Sequence, residues 1–169
     1  MRKIVLKFHD GTGPWADKTD KVIGIVSKKT HVEALFENGW SWSSTQKWGA
    51  ENGVRFAEIK YSHPERWVEV VLLVTDEEYD AIEMRCELLA SMGIKYDMRG
   101  AIGCAITGRD DVTAFFCSEA VFYAVLCQWL PEILNYKMHP DKLYTIACVI
   151  ADRLADRFIS MGDTNVDTR

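Results

Sequence analysis

The amino-acid sequence predicts one α+β domain built on an antiparallel sheet, and three observations carry that expectation. The first 75 residues fall into short runs rich in Val, Ile and aromatics, with the character of strands. From Thr75 onward the apolar positions recur at helical spacing instead. Strands gathered early and helices late argue for α+β. Between two of the early runs sits Asn38-Gly39, a strong short-range hairpin signal. A chain of 169 residues is one domain's worth. We take residues 1–160 as a single domain and 161–169, mostly polar, as a frayed C-terminal tail.

The elements follow in order. Strands are expected at Lys3–Phe8, His31–Phe36, Trp40–Thr45, Val54–Lys60 and Trp67–Val74, with a short helix within Trp15–Ser27. If Asn38 and Gly39 are a two-residue turn, Glu37 pairs with Trp40 and the pairing indices sum to 77. Thr75-Asp76-Glu77-Glu78 is a capping box, and Tyr79, Ile82, Cys86 and Leu89 form the apolar stripe of the helix it starts. Gly93 stops that helix. A glycine-bearing loop (Gly100, Gly103, Gly108) leads to a second helix from Cys117 to about Leu130, closed by Pro131, and a third runs from Asp141 to Ile159.

Composition narrows the function classes. An apolar fraction of 48% with 27% charged residues excludes a disordered or collagenous chain. A net charge of −5 gives no global attraction for nucleic acid or an anionic membrane. The strongest apolar run, Val68–Val74, contains Glu69, and no run approaches 18 residues, so no transmembrane segment is expected. The start MRKIVLKFHD reads as a charged strand and not as a signal peptide, which points to the cytoplasm. Five cysteines without a C-x-x-C spacing make neither a disulfide framework nor a zinc ribbon, and a site from Cys104, Cys117 and a histidine has no supporting ligand spacing. No metal or organic cofactor is implied.

Cys117 stands apart from the other thiols because it opens an apolar helix. A helix N-terminus favours thiolate, and its backbone N–H groups can stabilise an oxyanion. A cysteine nucleophile needs an imidazole. His9, His63 and His139 lie in turn-like contexts, whereas His31 begins a strand whose alternation puts His31, Glu33 and Leu35 on one face. A carboxylate there can orient and charge the ring. The expected register sets His31 opposite Gln46 and Glu33 opposite Ser44, so Glu33, Gln46 and Ser44 are the three candidates for orienting the imidazole. Trp40, Trp42 and Trp48 are candidates for a substrate groove; Trp15, Trp67 and Trp129 read as packing.

Taken together, His31-Val-Glu, Gly93-Ile-Lys-Tyr96-Asp97, Phe116-Cys117-Ser118-Glu119 and His139-Pro140-Asp-Lys-Leu-Tyr144 resemble the permuted papain-like cysteine hydrolases. These are the YiiX-like branch of the NlpC superfamily, which has phage-encoded relatives. The resemblance spans roughly Thr30 to Tyr144. It implies a circularly permuted papain-like architecture, with the histidine before the cysteine. It also implies Cys117 as nucleophile, His31 as general base and then acid, and a polar third residue. Tyr96 and Ser118 become oxyanion or substrate residues. The family often carries Glu on the strand after the histidine, where this chain has Ser43, Ser44 and Gln46. Lys95 stands where the family usually has Pro.

The function expected from these residues is amide hydrolysis through a Cys117 thiolate, on a peptide or a peptidoglycan stem (a muropeptide). The resemblance also allows acyl ester or thioester hydrolysis and acyl transfer. A phage-encoded chain would act in the host cytoplasm. The alternative outside enzymology is a non-catalytic phage binding module on the same scaffold.

Overall fold

The computed structural model describes residues 1–12, 21, 23, 27–46, 52–61, 63–97, 100–101, 114–130 and 138–163. Five strands form one antiparallel sheet: β1 (Arg2–Asp10), β2 (Lys29–Leu35), β3 (Trp40–Gln46), β4 (Asn52–Glu58) and β5 (Trp67–Val74), in the order β4-β3-β2-β1-β5. Among the described residues the helices with defined bounds are α1 (Asp76–Ser91), α2 (Cys117–Val121) and α3 (Pro140–Asp163). A short parallel pair, β6 (Lys95–Tyr96) and β7 (Ala114–Phe115), lies just before α2. The α+β expectation with an antiparallel sheet therefore holds.

Alternation explains the sheet. Ile4, Leu6 and Phe8 of β1 are fully buried and pair across to Ala34 and Val32 on one side and Leu72, Val70 and Val68 on the other. This apolar face takes the helices: Tyr79, Ile82, Cys86 and Leu89 of α1 join the same core as Leu143, Ala147, Ile150 and Leu154 of α3. The other face carries Lys7, His9, His31, Glu33 and Arg55. The first helix starts as expected. Thr75 Oγ1 accepts from the Glu78 N–H at 3.1 Å, and Glu78 Oε2 accepts from the Thr75 N–H at 2.9 Å. Glu78 also accepts two hydrogen bonds from Arg157 at 2.8 Å, fastening α3 to the start of α1.

Two expectations are corrected. The hairpin turn is a three-residue loop, Glu37-Asn38-Gly39: the Phe36 N–H reaches the Trp40 carbonyl at 2.9 Å, and Gly39 takes φ 85°. Ala34 pairs with Trp42 and Leu35 with Ser41, so the indices sum to 76 rather than 77. Asn-Gly suits either loop, because a glycine at positive φ serves both a two-residue turn and a bulged three-residue one. A slip of one residue turns every β3 side chain over. The third helix also runs past Ile159 to Asp163, into the segment expected to be tail.

Other boundaries move little. The second helix begins at Cys117 as expected, but after Val121 it widens into a π-helical stretch (Phe122–Leu126) and tightens into a 3-10 turn (Cys127–Trp129). Most of Trp15–Ser27 lies outside the described residues, as do Trp48, Cys104, Gly103, Gly108, Pro131 and the side chain of Gln46.

Candidate active site

His31 lies on β2, with Glu33 two residues on, and strand periodicity puts both on the polar face. The ring Nε2 meets Glu33 Oε1 at 2.8 Å. Glu33 is 2% exposed, so its charge sits away from water and needs partners. It has three. Besides the imidazole, Oε1 accepts from Arg55 Nη2 at 2.5 Å, and Oε2 accepts from Ser41 Oγ at 2.7 Å. Tyr61 donates its hydroxyl to Ser41 Oγ at 3.0 Å, so four side chains converge on one carboxylate or its nearest neighbour.

Cys117 is the first residue of α2, and Phe116 before it is extended. Helix α2 packs on β2 and β3. That contact brings the Cys117 sulfur close enough to His31 for its charge to act on the ring. Since Nε2 is held by Glu33, Nδ1 is the nitrogen left for the sulfur. The first backbone N–H groups of a helix have no partner inside it, which suits them to a developing oxyanion beside Cys117. Cys117 is 2% exposed while the His31 side chain is 23% exposed, so the ring is the more open member of the pair.

The electrostatics follow from these neighbours. Burial opposes a charged His31, but the Cys117 sulfur and the Glu33 carboxylate outweigh it and raise the ring from 6.5 to about 10. Burial likewise opposes a charged Glu33, yet the His31 hydrogen bond, the His31 and Arg55 charges and the Ser41 hydroxyl hold it below the ordinary carboxylate range. Tyr61 is pushed up to about 12 by burial and by the Glu33 charge, so it stays a neutral donor.

The remaining expected residues fall into place differently. Of the orienting candidates, Glu33 stands against the ring, while the side chain of Gln46 lies outside the described residues. Ser44 is turned to the other face by the corrected register, and its hydroxyl donates to the Phe115 carbonyl at 2.6 Å. The same register puts position 45, not Gln46, in line with His31. Ser118 is fully buried and donates its hydroxyl to the Met138 carbonyl. Tyr96 is half-buried on β6 and pairs with Phe115, two residues before Cys117.

The groove expectation is corrected for Trp42 and Trp40, while Trp48 lies outside the described residues. Trp42 is fully buried and donates its indole N–H to the Cys86 carbonyl at 2.9 Å, which makes it a core residue. Trp40 is exposed beside Phe56, at the turn end of the hairpin. Five residues separate it from the position in line with His31, about 16 Å along a strand. Trp67, read as packing, stands edge-on to His31 at 6.3 Å between ring centroids and also contacts His9 and Tyr61.

Sequence reasoning missed Arg55, Ser41 and Tyr61. The corrected hairpin register would have brought in Ser41; Arg55 needs the β3–β4 pairing, in which it faces Ser43. Among the described residues no group of three or more His, Cys, Asp or Glu is arranged to hold a metal, and no helix is long and apolar enough to cross a membrane. Comparison with protein-family models, with curated proteins and with solved structures returned no match.

Proposed function

We propose that the chain is a cysteine hydrolase that cleaves an amide through an acyl-enzyme. The observation that carries this is the order Cys117–His31–Glu33: a sulfur near enough for its charge to act on the ring, and the ring against a buried carboxylate at 2.8 Å. Nucleophile, base and orienting group are what covalent hydrolysis requires.

In the first half, the Cys117 proton passes to His31 and the sulfur attacks the carbonyl carbon. The resulting oxyanion lies at the start of α2, and collapse breaks the C–N bond as His31 returns the proton to the amine. In the second half, water attacks the thioester with His31 taking its proton, the C–S bond breaks, and the acid is released. Glu33 fixes the ring so that one nitrogen faces the sulfur, and it stabilises the imidazolium formed in each half.

A histidine on a sheet strand preceding a cysteine at a helix start supports the permuted papain-like architecture as the frame for this chemistry. Peptides and peptidoglycan stems are the substrate class of first choice. Acyl esters and thioesters follow the same steps with a different leaving group.

The test combines labelling and turnover. A thiol-directed activity probe, followed by mass mapping, should mark Cys117 in preference to Cys86, whose thiol burial pushes up. A panel of peptides, muropeptides and acyl esters should then give turnover that Cys117→Ser abolishes without changing the melting temperature. Modification of Cys86 at the same rate, or turnover surviving Cys117→Ser, would refute the assignment.

A further inference from the structure

Arg55 lies on β4 between the core-facing Val54 and Phe56, and its side chain is only 8% exposed. A guanidinium this deep in the protein is costly unless it is paired. Its pairing is narrow. Nη2 donates to Glu33 Oε1 at 2.5 Å, while Nε and Nη1, also buried, have no hydrogen-bond partner among the described residues. The acceptor is the same oxygen that meets His31 Nε2. One atom therefore joins the guanidinium to the imidazole.

We propose that Arg55 is a positioning residue of the Cys117–His31 site, whose buried charge keeps Glu33 ionised and fixed on the ring, so that Cys117 reacts at acidic to neutral pH. The inference rests on reading Cys117 and His31 as the reacting pair. Charge counting gives the reason. When the Cys117 proton sits on His31, the site holds an anionic sulfur, a cationic ring and an anionic carboxylate. Arg55 brings the total to zero in a medium where an unbalanced charge is expensive.

Without Arg55 there are two outcomes, and both work in the same direction. Glu33 either stays charged and opposes the anionic sulfur, or takes a proton and stops supporting the imidazolium. The other groups facing the site do not replace it. Lys7 on β1 is tied to Glu69 on β5 at 2.5 Å, His9 lies opposite His31 with its Nδ1 against Thr30 Oγ1, and Tyr61 is a neutral donor to Ser41. Because Arg55 reaches Glu33 through a single N–H, its charge rather than its fork is what acts.

The experiment is the pH profile of Cys117 alkylation by iodoacetamide, which needs no substrate. Arg55→Met should slow alkylation about tenfold or more near pH 6 and leave it nearly unchanged near pH 9, because the acid limb moves up by about one unit or more. Arg55→Lys should restore the wild-type profile. In a Glu33→Gln background, adding Arg55→Met should move the limb no further.

An unmoved limb in Arg55→Met overturns the proposal, as does an equal loss at every pH or a failure of Arg55→Lys to restore the profile. If Arg55→Met does not fold, the two Glu33→Gln proteins decide: equal profiles uphold the proposal and a second shift refutes it. The hydrolase reading fails separately, through absence of Cys117-dependent turnover, so the two outcomes can be told apart.

Discussion

Glu33→Gln should cost the protein stability as well as reactivity, and the structure sets the size of the loss. The amide matches the carboxylate in shape. Its oxygen can keep the Oε1 position between His31 and Arg55, and its NH2 can face Ser41, whose hydroxyl is able to accept. Contacts are preserved and the charge is removed. Arg55 then holds a buried cation with no counter-charge on its acceptor, with Nε and Nη1 already unpartnered among the described residues. Removing one member of a buried ion pair costs about 3–5 kcal/mol. Urea unfolding at about pH 7 measures this as a lower midpoint at unchanged slope. Replacing both partners, as in Glu33→Gln with Arg55→Met, should recover most of the loss. Turnover should fall by about tenfold to a thousandfold in Glu33→Gln, the scale of a positioned acid–base contribution. A single variant within about 0.5 kcal/mol of wild type, the range of an ordinary surface change, would refute the claim that Glu33 and Arg55 are coupled.

Two further predictions concern other parts of the site. His31 is raised from 6.5 to about 10 in the folded protein, so its charged contacts contribute fully below about pH 6.5 and fade as pH rises through about 10; the stability gap between wild type and His31→Gln in urea should narrow from about pH 6 to pH 10, and a widening gap would contradict the sign. Gly53 has φ 135°, and a Cβ there would lie 2.1 Å from the Ile94 carbonyl oxygen, which itself accepts the Val54 N–H; Gly53→Ala should cost about 2–4 kcal/mol in the same assay, and amide exchange at Phe115 and Tyr96 should quicken, whereas an unchanged midpoint would show that β4 and the β6 segment are not held this close.

Local patterns were legible in the sequence, and the global register was not. The shared face of His31 and Glu33 follows from a two-residue period that no partner strand can alter. Cys117 at a helix start follows from the boundary of an apolar run. The register of β3 depends on whether Asn38-Gly39 closes a loop of two residues or three, a distinction set by backbone conformation rather than composition. That one-residue difference accounts for two corrections at once. With the sum at 77, Trp42, Ser44 and Gln46 share the face of His31, which makes tryptophans look like groove residues and Ser44 like an orienting one. With the sum at 76, Trp42 enters the core, and Ser41 and Ser43 come to the side of Glu33. Arg55 left no signal except a charge inside an apolar strand, because its partner is chosen by the pairing of β3 with β4.

What brings sulfur and imidazole together is a set of long-range hydrogen bonds to backbone. Asp141, at the start of α3, accepts the N–H groups of Lys28 and Lys29 at 2.7 and 3.1 Å, fixing the beginning of β2 just before His31. Met138, three residues earlier, accepts the Ser118 hydroxyl and so fixes the beginning of α2 beside Cys117. Ser44 holds the Phe115 carbonyl from the sheet side. The segment 138–141 therefore grips both β2 and α2, one through a side-chain carboxylate and the other through a main-chain carbonyl. This gives the late Pro140-Asp141 motif a physical role independent of any contact with substrate. It also accounts for Ser118: the hydroxyl next to Cys117 is already committed to the brace. The donors left at the start of α2 are backbone N–H groups, and a rigid scaffold positions those more tightly than a side chain free to rotate.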